Sequence, residues 1–308
     1  PDTVGFSGDS VLFYHRNRSD RLVRDTLIAQ QGLAPVADQI PDTQRNRTFG
    51  GTMRGPGLVA VSTRDGQHAA TPYRSWLLAS QQAQAAHRID IVLHTAQSEA
   101  LEEWQAELER TAVLACADVG RARSVTRVWW DEFWERSHIC LQPAAAAPGD
   151  PVWQVGRNYQ LFRYMLGCNR AGEYPTKFNG GLFIYDPGYV HEDLIDESAD
   201  FRMWGGGSHT AQNQRLVYWP MLKSGDFDLM PPQFEYYRRG LPGAEARTRL
   251  YWEHEGCSFT EQLENFGLPI GWAWGWLETP DPYHKRTPFS DPTEQQAPWI
   301  RYLYVSQL

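Results

Sequence analysis

The apolar positions change their period along the chain. Up to about residue 97 they gather in short β-branched or aromatic runs at residues 11–15, 57–61, 73–78 and 89–94. Such runs predict strands, with turns at stretches such as Gly50-Gly51 and Arg64-Asp65-Gly66 between them. The spacing is that of a β-sandwich, but four or five strands are too few to cover two faces. Residues 1–97 therefore read as the C-terminal part of a sandwich. From residue 98 the period becomes helical: Leu101, Trp104, Leu108 and Ala112 form one stripe, behind Glu99, Glu102 and Glu103, which suit a helix N-terminus. A second helix is predicted over 122–138, striped by Val125, Val128, Trp129, Phe133 and Arg136. Residues 98–145 thus read as linker helices, closed by a boundary loop over 142–150 with four Ala and two Pro.

From residue 146 the pattern is helices joined by long Gly and aromatic loops. Val152, Val155, Tyr159, Phe162 and Leu166 predict a helix stopped near Gly172. Another opens after Gly205-Gly206-Gly207-Ser208 and stops at Pro220; a third runs from Pro231-Pro232 to Gly240, and a short fourth covers 244–252. No strand-helix alternation is present, so the fold class is α+β and multidomain, without a parallel sheet.

Composition narrows the partners. A formal charge of −8, with no run of Lys or Arg, argues against nucleic acid, and no segment approaches the roughly 18 apolar residues of a membrane helix. Thirteen Trp, with 14 Tyr and 13 Phe, is the composition of sugar-handling chains, because indole faces stack on pyranose C–H faces. Packed core is the other use of any one of these rings. Cys116, Cys140, Cys168 and Cys257 form no metal or redox spacing and their pairing is open. Neither a metal nor a cofactor is expected, since Asp226 and Asp228 alone are too few for a calcium loop. The chain opens at Pro1 and closes on an apolar run, which reads as a fragment.

The segment richest in chemistry runs from Trp204 through Gly205-Gly206-Gly207 to Pro220. Its helix start is polar, with Ser208 or Thr210 as N-cap. His209 and Asn213 share a face at i and i+4, with Gln212 beside them, where free backbone N–H groups also point. A capped, solvated helix start is the plain alternative, and a phosphate cradle lacks the Lys and preceding strand it needs. Four carboxylates, Glu253, Glu255, Glu261 and Glu264, follow near Trp252 and Phe259. Glu261 and Glu264 are expected to share a helix face, for solvent, for sugar hydroxyls, or for acid/base catalysis with Trp252 and Phe259 as the apolar wall that raises a carboxyl pKa. Trp272, Trp274 and Trp276 alternate, as a stacking platform or as core.

His209-Thr210-x-x-Asn213 with Tyr218-Trp219-Pro220 resembles, at identical spacing, the H-T-N-x-N-x-x-x-N-Y-W-P signature of the inverting α-L-fucosidases of glycoside hydrolase family 95. The segment Trp129-Trp130-Asp131-Glu132-Phe133-Trp134-Glu135-Arg136-Ser137 resembles that clan's helical linker, and Tyr174-Pro175 through Asn179-Gly180 its substrate loop. From Tyr14-His15-Arg16-Asn17 to Gly267 the chain also resembles a mostly bacterial family described only as a domain of unknown function. The resemblance implies a β-sandwich, linker helices and an (α/α)6 toroid, of which residues 146–308 would be the first part. A second chain completing the toroid is then an expected partner, beside an oligosaccharide or glycoside.

By that resemblance Asn213 orients the attacking water and is the catalytic candidate, and His209 and Asn179 face the sugar; Gln212, Trp204, Trp252, Glu261 and Glu264 are read from their own chemistry as further sugar-lining residues. The signature's first and third Asn correspond to Ala211 and Val217, where fucose specificity does not carry over. The family's acidic partner lies well beyond the 88 residues that follow Pro220, so the general acid is expected outside this chain. The implied function is inverting glycoside hydrolysis, exo-acting on a plant or microbial glycan, in a secreted or periplasmic protein. Phosphorolysis and non-catalytic sugar binding are the alternatives.

Overall fold

The computed structural model describes residues 2–17, 19–20, 22–68, 71–141, 149–176, 208–209, 211–260, 262–269 and 303–304. The chain is mixed α and β, with antiparallel sheets. It divides into two units, with the boundary inside one long helix. The first holds the chain up to Val23 and Thr43–Arg127; the second holds Arg24–Asp42 and the described residues from Val128 onward.

In the first unit, β1 (Asp2–Ser7), β2 (Ser10–Arg16), β3 (Arg47–Arg54) and, later in the chain, β6 (Asp90–Gln97) form a sheet in the order β1-β2-β3-β6. Between them β4 (Leu58–His68) and β5 (Thr71–Ser80) make a long hairpin. One face of the four-stranded sheet is covered by α2 (Leu101–Ala117), the second helix of the chain after α1 (Val23–Gln30). Period-2 alternation puts Leu12, Tyr14, Val92 and Ala96 under the helical stripe of Trp104, Leu108 and Ala112, so the predicted stripe is the buried one. Trp104 is 1% exposed and meets the rings of Tyr14, at 5.4 Å, and His94, at 6.1 Å.

The two turns predicted here are strand instead. Gly50 and Gly51 lie in the middle of β3, paired with Tyr14 and Phe13 on one side and His94 and Leu93 on the other. A Cβ on Gly50 would stand 2.1 Å from the Phe13 carbonyl oxygen, so the glycine serves close strand approach. Gly66 faces Tyr73 across the hairpin, and the phenol ring occupies the space over it.

In the second unit, α3 (Val119–Arg136) ends against α4 (Pro151–Cys168) and α5 (Ala211–Ser224), and α6 (Pro231–Trp252) follows. Phe133, Leu166, Val217, Tyr218, Met221 and Leu229 form one core, with Trp129, Trp130 and Trp134 at its margin. Asp150 caps α4 by accepting from the Val152 and Trp153 N–H groups, and Pro151 occupies the first turn, where no donor is lost. Pro220 does not stop α5, which continues to Ser224; Gly240 and Pro242 lie inside α6, so the two helices expected there are one. These glycines serve packing. A Cβ on Gly240 would touch Gly267 and Phe259, and one on Gly243 would touch Gln39 and Ile40.

Candidate functional site

Three segments converge on the tyrosines of α6. The first is the stretch ending at Thr176, the second the start of α5, and the third the run from Ser258 to Leu268. Tyr236 is buried at the centre, and its hydroxyl donates to the Glu264 carbonyl at 2.7 Å. Burial, with Tyr237 alongside, holds its phenol well above the ordinary value, so it remains a donor. Tyr174 meets Tyr236 edge-on at 6.3 Å, and Tyr237 meets Phe259 edge-on at 5.1 Å. Arg239 holds the first segment from outside, donating to the Glu173 carbonyl at 2.7 Å with its guanidinium over the Tyr174 ring.

The start of α5 is held by two contacts. Just before it, Ser208-His209 (β7) pairs antiparallel with Gln262-Leu263 (β9), Ser208 opposite Leu263 and His209 opposite Gln262. Two turns into the helix, the buried Tyr218 hydroxyl accepts the Thr176 N–H at 3.0 Å. Asn169 donates to the Thr176 hydroxyl at 2.7 Å. The Tyr of the Tyr218-Trp219-Pro220 motif is thus the post on which the 174–176 segment hangs. Trp219 is exposed and carries Arg215 over its ring.

Against this frame the predicted residues fall into three groups. Asn213 is half-buried in the first turn of α5, with Gln212 before it and His209 on β7. Glu264 is half-buried directly after β9 and is brought to the α5 start by the strand pair. Trp252, the last residue of α6, is half-buried and packs edge-on to Tyr251 at 5.6 Å. Asn179, Trp204, Glu261, Thr210 and the alternating Trp272, Trp274 and Trp276 lie outside the described residues. The helix expected to align Glu261 with Glu264 is not formed. Phe259-Thr260 (β8) and Gln262-Leu263 are strand, because Phe259 and Leu263 must be buried against α6 while the backbone between them bonds to neighbouring segments.

Two residues that sequence reasoning passed over belong here. Gln214 is 2% exposed and occupies the first position of the α5 core stripe, ahead of Val217, Tyr218 and Met221; its Oε1 finds no partner among the described residues. Its signal was that stripe spacing, on which a polar residue is out of place. Arg247, also buried, donates to the Ser258 carbonyl at 2.6 Å and so fixes the approach to β8. Burial lowers its proton affinity, although not enough to discharge a guanidinium.

The base of the unit is an ion cluster. Asp226 takes a bidentate pair from Arg163 at 2.8 and 3.0 Å, with Ser224 donating to it and Arg136 at 3.4 Å. Asp228 pairs with Arg136 and Arg170. Among the described residues no group of three or more His, Cys, Asp or Glu could hold a metal, and no helix is long and apolar enough to cross a membrane.

A family model described as a domain of unknown function (DUF5703) matches residues 1–139, the part of the chain that carries the sheet, α2 and α3. No curated protein and no solved structure matches the chain.

Proposed function

We propose that the chain is the saccharide-binding portion of an inverting glycoside hydrolase, its sheet unit part of a β-sandwich and its helical unit the opening of an (α/α)6 toroid. The observation that carries this reading is the pairing of Ser208-His209 with Gln262-Leu263, which brings the polar start of α5 beside the segment bearing Glu264. Asn213 would orient the attacking water and Glu264 a sugar hydroxyl, with His209 and Gln212 completing the polar rim. Inversion requires a general acid about 6.5–9.5 Å from the base that holds the water, and that acid is expected outside this chain.

The test is a panel of glycosyl fluorides, whose leaving group departs without a general acid, and of glycan oligomers, read for binding by calorimetry and, on the fluorides, for turnover with the product anomer followed by NMR. Asn213→Ala is expected to abolish inverting turnover while leaving the melting temperature in place. Turnover unchanged in that variant overturns the site. Saccharide binding without turnover, weakened by Asn213→Ala, reassigns the chain to the non-catalytic sugar binders. Release of a sugar phosphate only in the presence of phosphate reassigns it to the phosphorylases.

A further inference from the structure

Away from the α5 start, the helical unit holds a cavity with a chemistry of its own. Trp134, His138, Arg157, Gln160, Leu161 and Tyr164 line a space of about 480 Å³ between the end of α3 and the outer face of α4. Arg157 and Gln160 also line an adjoining space of about 260 Å³ beside Trp153, so the two form one trough along α4. Volume and lining match those of small-ligand sites, largely apolar and aromatic with a few polar groups.

The walls are fixed. Trp134 and Tyr164 both stack on Trp130, at 6.1 and 5.1 Å, and the buried Arg163 guanidinium backs Trp134 at 5.4 Å. Gln160 is tied by its amide to the Ile139 carbonyl at 3.0 Å. Arg157 lies over Trp153 at 5.4 Å, and its hydrogen bonds run to the neighbouring Asn158 amide.

The charge is what selects a ligand. The chain carries 37 acidic against 29 basic side chains. Arg54, Arg74, Arg88, Arg136, Arg163, Arg238, Arg239 and Arg249 each have a carboxylate partner. Arg157 has none among the described residues, and none lines the cavity it enters. A guanidinium held against apolar walls without a counter-ion is a carboxylate receptor, and an indole edge or face beside it suits the ring that carries the carboxylate.

We propose that this trough binds a uronic acid residue of an acidic glycan, with the carboxylate on Arg157 and the sugar ring against Trp134. The saccharide class rests on the reading of the α5 site; the anionic character rests on this cavity alone. Calorimetry on the full chain with trigalacturonate, neutral galactotriose and benzoate tests it. Trigalacturonate is expected to bind and galactotriose to bind weakly. Arg157→Met, a charge loss at a partly exposed position, should weaken trigalacturonate by about tenfold or more, the worth of a charge-assisted hydrogen bond. Arg157→Lys should recover part of the loss, and Trp134→Phe should weaken both sugars.

Equal affinity for the neutral and acidic trimers, or trigalacturonate affinity unchanged in Arg157→Met, overturns the assignment. Benzoate competing as well as trigalacturonate overturns its saccharide part. The two proposals fail separately. Turnover that survives Asn213→Ala, with acidic-glycan binding lost in Arg157→Met, removes the α5 site and leaves the trough; the converse removes the trough alone.

Discussion

Replacing Asp226 by Ala should be among the most damaging single changes to the helical unit. Arg163 is 2% exposed and its bidentate partner is the only carboxylate among the described residues that reaches it. Without that carboxylate the guanidinium keeps the Phe133 and Ser137 carbonyls and the Phe133 ring, at 4.1 Å, none of which carries a charge. Arg136 would then face Arg163 across an emptied site. Breaking a buried pair on one side costs about 3–5 kcal/mol, whereas an exposed pair is worth about 0–1 kcal/mol. Against a typical total of about 5–15 kcal/mol, that is enough to unfold much of the unit near physiological temperature. Urea titration, followed by hydrogen exchange on peptides from α4 and α5, measures the loss and locates it in this unit. The double change Arg163→Met with Asp226→Leu should lose much less than Asp226→Ala alone, because it removes both charges together. A loss under about 1 kcal/mol in Asp226→Ala would refute the reasoning, since the pair would then behave as if it faced water.

Three further outcomes follow from the same physics. His94 lies on Trp104 with its Nε2 buried and without a partner among the described residues, and burial followed by the charge of Arg110 lowers its pKa below the ordinary 6.5. A depressed His pKa means the unfolded chain binds the proton more tightly, so stability of the sheet unit should fall as pH drops below about 6.5; His94→Gln should flatten that slope in melts between pH 7.5 and 5, windows chosen around that value. Gly167→Ala puts a Cβ 3.0 Å from Trp130 and 3.4 Å from Phe133. Overpacking of about 1–3 kcal/mol should outweigh the roughly 1 kcal/mol a helix gains from Ala, giving a lower melting temperature instead of a higher one. Tyr218→Phe strands the Thr176 N–H in a buried position, a cost of about 1–3 kcal/mol, and saccharide affinity at the α5 site should fall with it.

Helices α2 to α5 were legible because long apolar periods carry most of that information, but their buried faces were only partly so. On α4 the predicted stripe included Val152 and Val155, which are exposed, while Gly156, Arg163 and Gly167 are buried. A core arginine with a partner 63 residues away, and glycines that admit a Trp ring, leave no hydrophobic signal. Strand β3 was hidden for the same reason. Gly50 and Gly51 have the composition of a turn, and only the approach of β2 and β6 makes them strand. Residues 24–42 were read with the sheet, yet they group with the helical unit, where the Tyr251 hydroxyl holds the Gln31 carbonyl at 2.7 Å. That is a contact across 220 positions, which no local pattern encodes. Of the site, the α5 start was visible as a polar break in an apolar stripe, whereas the strand that meets it was expected as helix.

Among the described residues, many of the aromatic rings that first suggested sugar binding have a structural use. Trp104 and Phe133 are core, Trp129 and Trp130 pack beside it, and the tyrosines do something phenylalanine could not. Tyr218, Tyr236 and Tyr251 each bury a ring against the helices and present one hydroxyl to the backbone of a distant segment: Thr176, Glu264 and Gln31. A phenol in this position stabilises twice, by apolar area and by satisfying a buried peptide group that would otherwise cost about 1–3 kcal/mol. Three segments are thereby pinned to α5 and α6 by phenols, and two of them, 174–176 and 262–264, border the α5 start. The α5 start is accordingly bordered by segments that a phenolic layer holds, which is what the proposed saccharide site would need if its own residues are to stay polar. Composition alone could not separate rings that stack on a ligand from rings that hold the loops around it; the direction of the hydroxyls does.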